Sequence, residues 1–102
     1  MTIYEHRDTI TISAGSASTT TVSAPGGVCT QVLVRALTGS TTLFRVQLED
    51  RKGIPRVNYG WHELEINDHD IRHPFAGAYT LRITNASATD TFYICVAVEE
   101  RH

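Results

Sequence analysis

The sequence predicts an all-β fold, a single antiparallel β-sandwich of seven to eight strands of Greek-key or jelly-roll type. Three observations predict it. Apolar residues alternate with polar ones at a period of two, the pattern of a strand with one buried face. Turn signals recur roughly every eight to twelve residues. No segment carries the period of an amphipathic helix. At 102 residues the chain is one domain. It is long enough to bury a core without a metal or several disulfides.

Each element follows in order. Tyr4 to Ile12 alternates through Tyr4, His6, Asp8, Ile10 and Ile12, with only the last two clearly inward. Ser13 to Ser18 is a small-residue turn around Gly15. Thr19 to Ser23 is a short Thr-rich strand with Thr20 and Val22 inward, and Ala24-Pro25-Gly26-Gly27 is a breaker. From Cys29 to Thr38, Val32, Val34 and Ala36 share one face and Leu33, Arg35 and Leu37 the other. Both faces are fairly apolar, as in a central strand. Thr38-Gly39-Ser40 is a turn. Phe44, Val46 and Leu48 point in from the next strand, and Arg45, Gln47 and Glu49 point out.

Asp50-Arg51-Lys52-Gly53 is a hairpin turn with Gly53 free to take a positive φ. Pro55 bars a central strand there. Val57 to Ile66 holds another strand with Leu64 and Ile66 inward. Asn67 to Phe75 is a long polar connection with room for one helical turn. The chain closes on a hairpin with Tyr79, Leu81, Ile83, Phe92, Ile94, Val96 and Val98 on its inner face. Its outer face carries Tyr93, Cys95 and Ala97 in succession, which is apolar enough to expect a cover.

Composition narrows the function classes. Net charge is −2 with mixed signs, which argues against a nucleic-acid binder and a polybasic membrane anchor. Glu5, Arg7 and Asp8 stand where a signal peptide would be apolar. The expectation is a chain made and kept in a cytoplasm, whose two cysteines, Cys29 and Cys95, stay free thiols. The sequon Asn85-Ala86-Ser87 then reads as turn chemistry. No nucleophile, phosphate-loop or dinucleotide motif appears, so the expectation is a non-enzyme without cofactor or metal.

Four groups could carry binding. Asp68, His69, Asp70 and His73 put two imidazoles at an i, i+4 spacing, which on a helical turn would share a face. The plainer reading is a solvated connection capped by Asp68. Tyr59 and Trp61 lie on the outward parity, flanked by Glu63 and Glu65. They could stack on a sugar, anchor a protein interface, or, after a bulge at Gly60, enter the core. Arg51, Lys52 and Arg56 form a basic turn, read as solvated or as intersubunit salt bridges. Tyr4, His6 and Arg7 lie on a half-polar strand suited to pairing with a foreign edge. Tyr93 and Cys95 complete the candidate interface.

Gly77 to Val98 (GAYTLRITNASATDTFYICVAV) and Thr9 to Pro25 (TITISAGSASTTTVSAP) resemble strands of small β-sandwich proteins in tailed-phage virions, of the head decoration or cement type. The closing segment is also similar to the ends of carbohydrate-binding and prepeptidase-type jelly-roll modules. The first resemblance implies a structural protein located in the virion. Its partner would be a major capsid protein or copies of itself, in a homo-oligomer or symmetric assembly. The second implies a glycan-binding module used in host attachment. Such modules usually come appended to enzymes or secreted chains, and the lack of a signal peptide favours the virion relation.

Overall fold

The computed structural model describes residues 3–38, 42–86 and 89–100. Ser87 of the sequon and Gly39-Ser40 of the expected turn lie outside the described residues. Seven strand segments follow one another: β1 Ile3–Ile12, β2 Ala17–Ala36, β3 Leu43–Glu49, β4 Pro55–Glu63, β5 Glu65–Asp68, β6 His73–Asn85 and β7 Asp90–Glu100.

Two long segments build both layers. The first half of β2 pairs with the second part of β6, from Ala17 opposite Thr84 to Ala24 opposite Gly77. After a register break between Ala24 and Gly27, β2 pairs with β7 through Gly27–Ala36 and with β5 through Val32–Arg35. β6 also pairs with β3, and β3 with β4. Among the described residues β1 pairs with β7 alone. Among the described residues one sheet therefore runs β4-β3-β6-β2, and the other runs β1-β7-β2 and is closed by β5 and the first residues of β6, 73–75, lying end to end along the far side of β2. With the two bent segments counted twice, nine strands form two packed antiparallel sheets, the predicted β-sandwich.

Glycine makes the bend possible. A Cβ at Gly27 would lie 2.1 Å from the carbonyl oxygen of Glu99, so only a bare α-carbon lets β7 approach there. Across the break, Gly77 takes a positive φ of 83°.

The core lies between the sheets. Phe44 of β3 meets Phe92 of β7 edge-on, with ring centroids 5.1 Å apart. Val46, Leu48, Leu81 and Ile83 from one sheet and Val32, Val34, Ile94, Val96 and Val98 from the other fill the rest. Each such burial contributes about 1.5–3 kcal/mol. The inward sets expected for β3, β6 and β7 are the observed ones.

Four expectations are corrected. β6 and β7 are not a paired hairpin: they lie in opposite sheets, and their alternating faces meet across the core. The β6 end is tied instead to β1 and its turn, by Asn85 Nδ2 donating to the Ile12 carbonyl and the Asn85 amide donating to the Ser16 carbonyl. Leu64 does not point inward. It is exposed with φ 67° at the crossing from β4 to β5, where its carbonyl accepts from the Ala36 amide. Asn67 to Phe75 holds no helical turn, because Asn67 and Asp68 finish β5 and His73 begins β6. Cys29, expected on the face opposite Val32, is fully buried in the core, turned there by the register shift between Cys29 and Gln31.

Candidate binding surface

The outer face of the β4-β3-β6-β2 sheet is mixed in chemistry. Arg45 of β3 stands opposite Trp61 of β4 on one side and Thr84 of β6 on the other. The Arg45 guanidinium carbon sits 5.0 Å from the Trp61 ring centroid, a cation–π contact. Trp61 is nonetheless 47% exposed. Its pose is set by the contact while much of its surface stays open. The stack has a cost: Arg45 Nε is buried with no hydrogen-bond partner. Leu43, two residues before Arg45 on the same face and opposite Glu63, is also exposed, as is Leu64 just beyond. Together they make an aromatic anchor with two apolar neighbours at one end of the sheet. Further along, Arg82 pairs with Glu49 at 3.1 Å across β6 and β3.

A bulge decides the fate of the Tyr–Trp pair. Gly60 takes φ 72°, and the β3–β4 register shifts between Arg45 and Gln47. The shift separates the two aromatics. Trp61 stays outside, contrary to the reading that a bulge would turn it inward. Tyr59, expected outside, packs half-buried against the core. Its hydroxyl donates to Asp68 Oδ2 at 3.0 Å. Burial, and then that hydrogen bond, hold the Tyr59 phenol well above its ordinary pKa. His62 is exposed, with Nε2 2.7 Å from the Tyr59 carbonyl.

The Asp68–His73 group comes apart in the same way. Asp68 Oδ1 accepts from the Asp70 amide in a local turn. His73 packs its ring edge-on to Tyr79. Among the described residues no three such groups converge as metal ligands would.

The basic turn frames a hollow of about 260 Å³ lined by Asp50, Arg51, Lys52, Arg56 and Tyr79. Arg56 pairs within the chain, its Nε 2.8 Å from Asp50 Oδ2, while half of its side chain stays exposed. Asp50 Oδ1 also accepts from the amides of Lys52 and Ile54. The Arg56 hydrogen bond first, then those amides, hold its carboxyl below the usual range. Arg51 and Lys52 remain exposed at the tip.

On the other sheet, the apolar outer row already has a cover from the chain itself. Arg7 Nη1 donates to the Tyr93 hydroxyl at 2.8 Å, and Arg7 pairs with Glu5 at 2.6 Å. Cys95, opposite Arg7 in the ladder, is 4% exposed. Both cysteines are free. Burial pushes the Cys29 thiol up to about 11, with the Asp68 charge adding to it, and burial also raises Cys95. Both stay protonated at neutral pH, unsuited to nucleophilic work. Tyr4 is exposed, its hydroxyl 3.4 Å from Glu100 Oε2, and His6 Nε2 lies 3.2 Å from Thr20 Oγ1 on β2.

One polar knot escaped the sequence reading. Asp90, buried at the start of β7, accepts from the Thr38 hydroxyl and amide, the Thr42 hydroxyl and the Thr91 amide. Burial alone would raise its pKa, and these donors together hold it below the usual value. Thr38 and Thr42 lie some fifty positions away, and a lone Asp in a Thr-rich turn offers no signal that would find them.

No protein-family model matches the chain, and no curated protein matches it either.

Proposed function

We propose that this is a non-enzymatic structural protein that works by surface contact, a component of a phage-like virion of the capsid decoration type. The observation that carries the reading is the exposed Trp61, held against Arg45 beside Leu43 and Leu64. A Trp in a fixed pose with apolar neighbours is the kind of residue that dominates protein interfaces. The fold supports the same use, since the outer face of a sheet offers contact area without needing a cleft. Many copies on a shell would each add a modest patch, and multivalency would make the sum large. The partner would be a major capsid protein.

A second reading, glycan binding in host attachment, draws on the same residue. The Trp61 ring and the neighbouring Glu63 could stack on and hydrogen-bond a sugar. Leu43 and Leu64 favour the protein partner, because a sugar site needs polar groups where they stand. Sedimentation with intact particles tests the pair. Wild-type protein is expected to pellet with particles and raise their resistance to heat, and Trp61→Ala to stay in solution while keeping its fold. Wild-type protein that binds no particle but binds a glycan array through Trp61 would overturn the first reading in favour of the second.

A further inference from the structure

The four outer edges of the sandwich are not alike. β5 is only four residues long. β4 begins at Pro55, which has no N–H to offer, and is bulged at Gly60. Both are the usual ways to blunt an edge. β1 has neither protection. It runs ten residues in unbroken register from Ile3 opposite Glu99 to Ile12 opposite Asp90, with no proline or glycine. Among the described residues no strand pairs with its outer side. Ile3, Tyr4, Glu5, Arg7, Asp8 and Thr9 are all exposed, so both faces of its first part are open.

We propose that β1 pairs antiparallel with β1 of a second copy, about a two-fold axis at His6. Symmetry limits the choices. In an antiparallel pair, opposed residues must turn their N–H and C=O groups the same way, so a two-fold axis passes through a residue and not between two. The axis at Glu5 sets Glu5 against its own copy, at Arg7 it sets two arginines together, and at Asp8 two aspartates. Like charges directly opposite are destabilising. Only the axis at His6 is complementary. It sets Glu5 opposite Arg7 of the second copy and Arg7 opposite Glu5, with Ile3 against Thr9 and Tyr4 against Asp8. Glu5 and Arg7 already share the outer face and pair within one chain, so the dimer would close a ring of four alternating charges. The same charges that discourage other registers or foreign strands admit this one. The second half of the side is compatible: His6 reaches Thr20 on the first half of β2, so the axis brings that uncharged Thr-rich edge toward its own copy.

The inference names a second copy as a partner and does not depend on what Trp61 binds; its test needs no particle. The molar mass of the purified protein would be measured by sedimentation equilibrium. Wild type is expected at twice the chain mass. Glu5→Arg and Arg7→Glu, each alone, place like charges opposite and should weaken the dimer at least about tenfold, or ~1.4 kcal/mol. Mixed one to one, the two variants are complementary and should regain wild-type association. A monomeric wild type at its highest soluble concentration would overturn the proposal, as would single variants that dimerise like wild type. Should a single variant fail to fold by circular dichroism, the double exchange Glu5→Arg with Arg7→Glu keeps the pair within each chain. It must dimerise, and a folded monomer there would overturn the proposal equally.

Discussion

Two aspartates organise two connections in this protein, and they do so at different depths. Asp50 gathers the amides of Lys52 and Ile54 and the Arg56 guanidinium, all within six positions of itself. Asp90 gathers Thr38, Thr42 and Thr91, reaching up to 52 positions along the chain. Asp50 lies in a water-accessible turn, and Asp90 is 4% exposed. The local chemistry is similar, but what each holds is not. Asp50 shapes its own hairpin, whereas Asp90 fastens the β2–β3 connection to the first residue of β7. The lesson is that a carboxylate's worth depends less on how many donors it collects than on whether water could replace them.

Substitution should separate the two sharply. The largest effect belongs to the bent β2. Gly27→Ala would drive a methyl group into the Glu99 carbonyl, and loss of more than about 4 kcal/mol in denaturant unfolding is expected. Asp90→Ala comes next. It strands two hydroxyls and two amides, at about 3 kcal/mol by the same measurement. Asp50→Ala should fall within the range of surface changes, since its donors turn to water. A cost for Asp50→Ala equal to that for Asp90→Ala would break the comparison.

Acid sharpens it. Both carboxyls sit below their ordinary value in the folded state. A depressed carboxylate adds stability that is present above the unfolded pKa, about 3.9 for Asp. That stability is lost as pH falls through the folded value. Stability measured from pH 5 down to pH 2 should therefore decline. Asp90→Asn and Asp50→Asn should each flatten the decline, and a decline unchanged in both would contradict the assignment. The smallest effect is at Trp61. Trp61→Ala should leave thermal stability nearly unchanged, because its partner Arg45 gains access to water.

The same contrast between local and distant explains what the sequence made legible. Alternation identified the inward residues of β3, β6 and β7 because side-chain parity is a property of one strand. It could not say which strand lies beside which, so β6 and β7 read as a hairpin although they belong to opposite sheets. Parity also fails where a bulge adds a residue: Gly60 sent Tyr59 inward, and the shift at Cys29–Gln31 turned Cys29 into the core. Pro55 and Gly53 were readable because their constraints are local. The Asp90 knot was not, since its donors Thr38 and Thr42 are distant and resemble any other Thr. Of the candidate surface, Trp61 was visible as one of three alternatives. The Arg45 stack against the outward Trp61 needed the register of β3 against β4.

Hydrogen exchange of the protein alone and with particles tests the central claim most directly, that this sandwich works through the Trp61 face. The account predicts that amides of β1 are protected from the start, and that residues 43–45 and 61–64 gain protection only when particles are added. Unchanged exchange at 61–64 with particles bound would contradict it.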